Sequence, residues 1–600
     1  MANRSANRQK IEAMRLRAEL SEQRRRRINA VGAVMFAVFF ILGFRLYYWQ
    51  VHEAETVKSR VRTPVEEAVD AHPRGTIRDR NGYLLAADGV EYDLAASPNI
   101  IGKPAALAAD VSVITGDSPG RLEQIFSGEE PYVLIAESLP YTMGQQLIAL
   151  DSGALQVTKH LKRHYPNGGL AAHILGFVNA ERQGHYGVEA FYDDVLRRAG
   201  QPAETTTPLA EEVKLGNRPF APSRDGIDLV LTIDRAIQFI VEQELQQALS
   251  TTGAASGSII VLDPKSGDIL AMTSLPSYDP NDYASYASSD AKLFTNPVLE
   301  QQYEPGSVFK IITVAAALDS GIVSPSTVYT DTGVLEVGGQ YIRNWNGGAY
   351  GPQTPTGILG YSLNTGTAWL ATLLGSDRQL RYYDEFGFGK KTGIDLGGEV
   401  TGQIKRPGDG VWHPSDVGTN AFGQGIGVTP IQLVSAVAAV VNHGRLMQPR
   451  VVKAIIDHGQ LQEIAPVERG QPIRAEIADS LRMILADAVE IETQSALLGD
   501  WRIGGKTGTA QVPIPGGYHA TDTIASFVGF APADDPQFVI LVKLDRPPGE
   551  LRWGSTSAAP AFQRLARRLL DYWAIPPDRF RVAQQPAQAV EGSAPEAPTP

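Results

Sequence analysis

The chain has 600 residues, 43% of them hydrophobic and 20% charged, with a formal net charge of -12 and no cysteine. Such length and apolar content suffice for more than one domain with its own core. The negative balance excludes a nucleic-acid partner, which needs a basic face, and the lack of cysteine excludes disulfides, thiol nucleophiles and cysteine-held metal or iron-sulfur sites.

The charge is unevenly spread. Residues 1–27 carry nine Lys or Arg, four of them in the run Arg24 to Arg27, against three Glu, a net of +6. Directly after comes I-N-A-V-G-A-V-M-F-A-V-F-F-I-L-G-F, Ile28 to Phe44, and then R-L-Y-Y-W-Q. About 17 to 25 apolar residues cross a bilayer, and Arg45 with Tyr47, Tyr48 and Trp49 suits the far interface. The pattern predicts one membrane helix over 28–50, with the basic tail 1–27 in the cytoplasm and everything from about residue 51 outside. A cleaved signal peptide is the alternative, since V-H-E-A-E-T from Val51 offers small residues, although such apolar regions are usually shorter.

Residues 51–225 read as a non-catalytic α+β module. Its clearest unit is R-G-T-I-R-D-R-N-G-Y-L-L-A, Arg74 to Ala86, where Asn81-Gly82 between β-rich flanks signals a hairpin. H-I-L-G-F-V-N and G-V-E-A-F-Y-D follow, and none of these holds a catalytic cluster. A second domain, 226–577, opens with the strand D-L-V-L-T-I-D and a helix, followed by two β-rich runs joined through Asp263-Pro-Lys-Ser-Gly267. Two more strands, I-A-S-F-V-G-F-A-P and Q-F-V-I-L-V-K-L-D, come late. A last helix places Phe562, Leu565, Leu569 and Trp573 on one face. The expected fold is α+β, an antiparallel sheet flanked by helices with a helical insertion between its strands. The Pro/Ala-rich tail, 578–600, cannot build a core and is expected to be disordered.

One short stretch suggests chemistry. In E-P-G-S-V-F-K, Glu304 to Lys310, Ser307 and Lys310 stand three apart at the start of an apolar run that Gly321 closes. They share a helix face, and the serine falls where unpaired backbone N–H groups favour developing negative charge. The same S-x-x-K spelling at Ser289 to Lys292 has no apolar helix behind it and reads as a solvated surface. G-Q-G-I-G-V-T-P, Gly423 to Pro430, lacks the dinucleotide pattern; Thr429 as N-cap and Pro430 at the first helical position explain it as a helix start.

S-x-x-K followed by S-x-N and K-T-G is the motif set of penicillin-binding proteins and serine β-lactamases. This chain has Ser307-Val-Phe-Lys310, Ser362-Leu-Asn364 and Lys506-Thr507-Gly508-Thr509 in that order. Ser97-Pro98-Asn99 and Lys391-Thr392-Gly393 repeat two of the spellings outside it. R-G-T-I-R-D-R-N-G, L-T-I-D, Y-E-P-G-S-V-F-K and F-G-Q-G-I-G-V-T-P-I-Q-L extend the likeness over roughly residues 28–575, so the chain resembles a class B, monofunctional penicillin-binding protein. E-P-G-S, the short anchor and the size resemble the division-type peptidoglycan D,D-transpeptidases, the FtsI or penicillin-binding protein 3 family.

The resemblance implies a membrane-anchored, elongated pedestal followed by a serine β-lactamase-like transpeptidase domain. It implies cross-linking of peptidoglycan stem peptides through an ester on Ser307, with Lys310 as base once neutral and Ser362 as proton relay. Asn364 would bind the substrate amide, and Lys506, Thr507, Gly508 and Thr509 would line the opposite wall and hold the terminal carboxylate. The backbone N–H groups of Ser307 and Thr509 would form the oxyanion hole. No metal or cofactor is implied; β-lactams would inhibit, and a membrane glycosyltransferase would be the partner. An elongation-type enzyme, a D,D-carboxypeptidase or β-lactamase-type hydrolase, and a non-catalytic β-lactam receptor or division scaffold stay open as alternatives.

Overall fold

A computed structural model describes residues 32–45, 47–48, 73–197, 214–215, 218–219 and 227–582. The basic tail 1–27, the ends of the expected membrane segment 28–50 and the last 18 residues of the C-terminal tail lie outside the described residues. The start of that tail, expected to be disordered, is instead a short helix, Asp578–Val582, held by the Arg502 N–H donating to Asp578 Oδ2 at 2.6 Å. Residues 32–45 form a helix whose apolar side chains, among them Phe36 and Phe39, are exposed. Among the described residues no helix is long and apolar enough to cross a membrane.

The described residues divide into two compact units, one built around Glu91–Leu161 and one formed by the segments on either side of it. Strand β1 (Ile77–Arg78) pairs antiparallel with the start of β2 (Leu84–Ala96) around the expected Asn81-Gly82 turn, where Gly82 adopts φ +87°. The end of β2 belongs to the first unit and pairs antiparallel with β3 (Val133–Pro140). There α1 (Pro104–Thr115) and α2 (Pro119–Phe126) bury Ala108, Val111, Leu122 and Phe126 against Leu94, Ala96 and Ile135.

In the second unit β4 (Asp228–Leu231) lies parallel to β1, then gives way to α3 (Arg235–Thr252). Asp234 caps that helix, its carboxylate accepting from the backbone N–H groups of Ala236 and Ile237. Strands β5 (Ser256–Leu262) and β6 (Ile269–Leu275) form the expected hairpin. Both are apolar almost throughout because both sheet faces are covered. Side chains alternate across a strand: Ile259 and Val261 enter one core, Ile260 and Leu262 another.

The helical insertion supplies the second of these cores through α4 (Lys310–Asp319), α5 (Asn364–Leu374) and α6 (Pro430–Val441). Helix α6 starts as expected, with Pro430 at its first turn and Thr429 as cap; Gln432 completes a reciprocal capping box. Strand β7 (Val452–Asp457) returns to pair with β4. The late strands β8 (Gly504–Ile514), β9 (Gly517–Ala531) and β10 (Phe538–Asp545) then complete a sheet ordered β6-β5-β10-β9-β8. Helix α7 (Ala558–Tyr572) seals the outer face with Phe562, Leu565 and Leu569, packed with Ile237, Val241 and Leu245 of α3. Trp573 falls just past the end of α7 and packs against the same core half-buried. Strand β8 is left as a free edge, and that edge forms one wall of the site.

Candidate active site

Ser307 does not sit in an α-helical turn. It lies in a tighter 3-10 turn, Gly306–Phe309, and the α-helix starts only at Lys310. Gly306 takes φ +56°, and a Cβ there would stand 3.1 Å from the Thr509 carbonyl oxygen. Glycine is required so that the serine turn can close on the β8 edge. The approach is matched from the other side, because a Cβ on Gly508 would stand 2.9 Å from Val308 Cγ2. Ser307 itself is half-buried.

Helix α4 is apolar on every side and buried from Lys310 to Leu318, so the Lys310 side chain enters the site with no exposure. Its Nζ donates to the Ser362 carbonyl oxygen at 2.6 Å, to Asn364 Oδ1 at 2.8 Å and to Ser362 Oγ at 3.2 Å. Ser362 adopts φ +55°, left-handed backbone that is costly for a residue with a Cβ. That conformation turns both its carbonyl and its hydroxyl toward one ammonium nitrogen.

Asn364 is fixed in turn: its Nδ2 donates to the Arg343 carbonyl at 3.0 Å, on the hairpin formed by Val334–Val337 and Gln340–Arg343. Below it, buried Thr365 donates through Oγ1 to Asp331 Oδ1 at 2.6 Å, and Asn344 Nδ2 donates to Asp331 Oδ2 at 2.8 Å.

On the facing edge, Lys506 is buried and its Nζ donates to Thr507 Oγ1 at 3.1 Å. Thr509 Oγ1 accepts from the Gly554 N–H at 3.0 Å, and its carbonyl oxygen faces Gly306 of the serine turn. The three short motifs, far apart in sequence, thus converge on one cleft. Lys310, Ser362 and Asn364 are directly bonded to one another, and Lys506 to Thr509 lines the wall opposite Ser307.

The look-alike spellings go elsewhere. Ser289 is exposed and donates back to the Tyr286 carbonyl. Thr392 is consumed by a loop, its N–H and Oγ1 both donating to Glu399 Oε1 at 2.6 Å. Ser97 precedes the short turn Pro98–Ile100. Among the described residues no group of three or more His, Asp or Glu is arranged to hold a metal ion.

Two features of the cleft were not legible. Trp345, 55% exposed, meets Trp553 edge to face at 5.8 Å. One neighbours the hairpin that holds Asn364 and the other precedes the Gly554 that holds Thr509, so the pair bridges the two walls. Glu304, three residues before the serine, receives the Tyr518 hydroxyl at 3.1 Å and the Gly425 N–H at 2.9 Å on one oxygen. No spacing rule announces such pairs, because each joins loops from opposite ends of the domain.

Comparison with known proteins agrees with this geometry. Residues 257–567 match the penicillin-binding protein transpeptidase domain and residues 70–231 the penicillin-binding protein dimerisation domain. Stage V sporulation protein D of Bacillus subtilis is 34% identical over 575 residues, 94% of this chain and 88% of that protein. The probable peptidoglycan D,D-transpeptidase PenA of Neisseria meningitidis serogroup A is 30% identical over 524 residues, 84% of this chain and 85% of that protein. The crystal structure of penicillin-binding protein 3 from Mycobacterium tuberculosis, complexed with aztreonam, superposes with a TM-score of 0.65 at 27% identity, covering 84% of this chain and 97% of that one. The chain belongs to the penicillin-binding proteins, as a transpeptidase domain preceded by a dimerisation domain.

Proposed function

We propose that this protein is a serine-type peptidoglycan D,D-transpeptidase. The carrying observation is the bonding of Lys310 Nζ to both Ser362 and Asn364 beside the Ser307 turn and a free sheet edge. The donor stem peptide, ending in D-Ala-D-Ala, lies along β8 with its carboxylate at Lys506 and Thr507. Ser307 Oγ attacks the carbonyl of the penultimate D-Ala, whose oxygen turns toward the backbone N–H groups of Ser307 and Thr509. Ser362 O and Asn364 Oδ1 in its amide form accept hydrogen bonds but cannot donate them. A neutral Lys310 satisfies both with its two N–H groups and keeps a lone pair for the serine proton. Ser362 Oγ then passes its proton to the departing D-Ala amine and regains one from Lys310, the proton that Ser307 gave up, leaving the donor as an ester on Ser307. The amino group of a neighbouring stem attacks that ester, forms the cross-link and restores the serine.

The same attack on a β-lactam leaves an ester that resolves slowly. Fluorescent penicillin should therefore label the native protein and Ser289→Ala, whereas label retained in Ser307→Ala would remove the serine from its assigned role.

The finer reading adds an anchor at 28–50 with a cytoplasmic tail at 1–27, and a pedestal at 51–225 outside the cell membrane. The catalytic domain spans 226–577 and the Pro/Ala-rich tail 578–600. Since 51–225 is too short and too poor in paired acids for a glycosyltransferase, a membrane glycosyltransferase supplies the glycan. E-P-G-S supports a role in septal wall synthesis. Depletion should give filaments; rounded cells would point to elongation instead.

A further inference from the structure

The transpeptidase mechanism leaves Glu304 without a task, and its surroundings suggest one. Of its two carboxylate oxygens, Oε1 holds Tyr518 and Gly425, while Oε2 is buried without a partner among the described residues. Close by, Asn420 is 1% exposed and neither its Oδ1 nor its Nδ2 has a partner. Lys405 Nζ stands 3.5 Å from Asp416 Oδ1. These groups ring the bare side of Gly425: from the place a Cβ would occupy there, Asn420 Oδ1 is 3.2 Å away, Lys405 Nζ 3.4 Å and Asp416 Oδ1 3.7 Å. Burial pushes the Glu304 carboxyl above the usual range, against the hydrogen bonds from Gly425 and Tyr518 and the charge of Lys405. Tying Tyr518 and Gly425 to the serine turn uses Oε1 alone, so that structural task does not account for Oε2 or for Asn420.

The pocket lies where the body of the donor must pass. A peptide added to the free β8 edge, with its carboxylate at Lys506–Thr507 and its reacting carbonyl at Thr509, advances about 3.3 Å per residue. The residue before D-Ala-D-Ala then falls near Ala510–Gln511, on the way to the turn that carries Tyr518. Every stem serves in turn as donor and acceptor, so the donor carries the same side-chain amino group that the acceptor uses as nucleophile. Lys405 already pairs with Asp416 Oδ1 and the His413 N–H donates to its Oδ2, so the acceptors left open are Glu304 Oε2 and Asn420 Oδ1, a carboxylate oxygen and an amide oxygen that suit a primary ammonium.

We propose that Glu304 and Asn420 bind the side-chain ammonium of the diamino acid that precedes D-Ala-D-Ala in the donor stem. This rests on the transpeptidase reading. The test uses the full chain in detergent micelles and three stem pentapeptides that differ only in the third residue: lysine, diaminopimelate, or norleucine, which has no amine. Release of D-Ala is followed in a single turnover without acceptor, so that only the donor step is read.

Both amine-bearing donors should exceed norleucine by about tenfold in acylation efficiency, the worth of one charged hydrogen bond. The ratio should fall to about one, in the same terms, in Glu304→Gln. Taking the ratio within each variant cancels a general loss of activity, and Asn420→Ala provides the same reading should Glu304→Gln not fold. Equal rates for all three donors in the native protein, or an unchanged ratio in the variants, overturn the pocket while the transpeptidase reading stands. A preference that appears only when acceptor amine is added overturns the donor assignment. No D-Ala release from any donor sinks the transpeptidase reading itself.

Discussion

Arg74 and Arg163, ahead of the catalytic sheet, and Lys310, inside the cleft, are all buried basic side chains, yet their surroundings differ in kind. Arg74 Nε donates to Glu189 Oε2 at 2.6 Å and Arg163 Nε to Glu189 Oε1 at 2.7 Å. Asp193 takes a second Arg74 nitrogen at 2.6 Å, and Arg182 donates to Asp88 Oδ2 at 2.6 Å. Formal charge there meets formal charge. The partners of Lys310, by contrast, include two oxygens of Ser362 and one of Asn364, all three neutral. A cation matched by carboxylates is committed to holding structure, whereas an amine can keep its hydrogen bonds to neutral oxygens in either protonation state.

The contrast is broken most severely at Lys310. Replacement by methionine keeps the length of the side chain and removes the base, and proton transfer by a positioned group contributes on the order of 10^2 to 10^4 in rate. Acylation of Ser307 by benzylpenicillin, followed by stopped flow, should slow by that factor. The matching change in the other cluster, Glu189→Ala, takes one carboxylate from two buried guanidinium groups and leaves them Asp193 and Asp88; loss of one partner of a buried pair costs up to about 3–5 kcal/mol. Guanidinium unfolding should show that loss, and the protein that stays folded should still take up penicillin label.

How much of this was legible depended on distance along the chain. The Asn81-Gly82 turn, the β5–β6 hairpin and the cap at Thr429 are written in adjacent residues, and the structure has all three. Ser307 could be preferred to Ser289 because it precedes a run that is apolar on all sides, and Lys506 to Lys391 because it follows Ser307 and Ser362 within the larger likeness. The 3-10 turn at Ser307 was missed, since nothing local separates it from the first turn of an α-helix. The Arg74–Glu189 pairing, the Trp345–Trp553 bridge and Glu304 to Tyr518 were also missed. Each joins residues at least 115 positions apart, and periodicity carries no information at that range.

Acidity sharpens the comparison through two carboxyls with opposite shifts. Burial alone would raise Asp88, but Arg163 and Arg182 outweigh it and hold the group below the usual carboxylate range. Its contribution to stability is therefore present above the unfolded value of about 3.9 and is lost as pH falls through the lowered folded value. Glu304 is raised, chiefly by burial. Its protonated form is favoured by folding, so that contribution is present below an unfolded value of about 4.3 and lost as pH rises through the folded value. In unfolding free energy measured against pH, Asp88→Asn should flatten the acid limb and Glu304→Gln should flatten the slope just above it. The same limb flattened by both variants would contradict the two assignments.

The smallest effect concerns the strain at Ser362. Left-handed backbone costs a residue with a Cβ roughly 1–2 kcal/mol, and glycine is spared most of it. Ser362→Ala and Ser362→Gly both delete the hydroxyl bonded to Lys310, so both should acylate slowly and to a similar degree. They differ in backbone alone. In an ordinary helix or strand the alanine variant would be the more stable by about 0.5–1 kcal/mol; at φ +55° the order should reverse, with glycine ahead by about 1 kcal/mol. Paired denaturation midpoints of the two variants read that sign directly. Alanine ahead of glycine would mean that the backbone at 362 is not held left-handed, and would remove the reason given for why both Ser362 oxygens face Lys310.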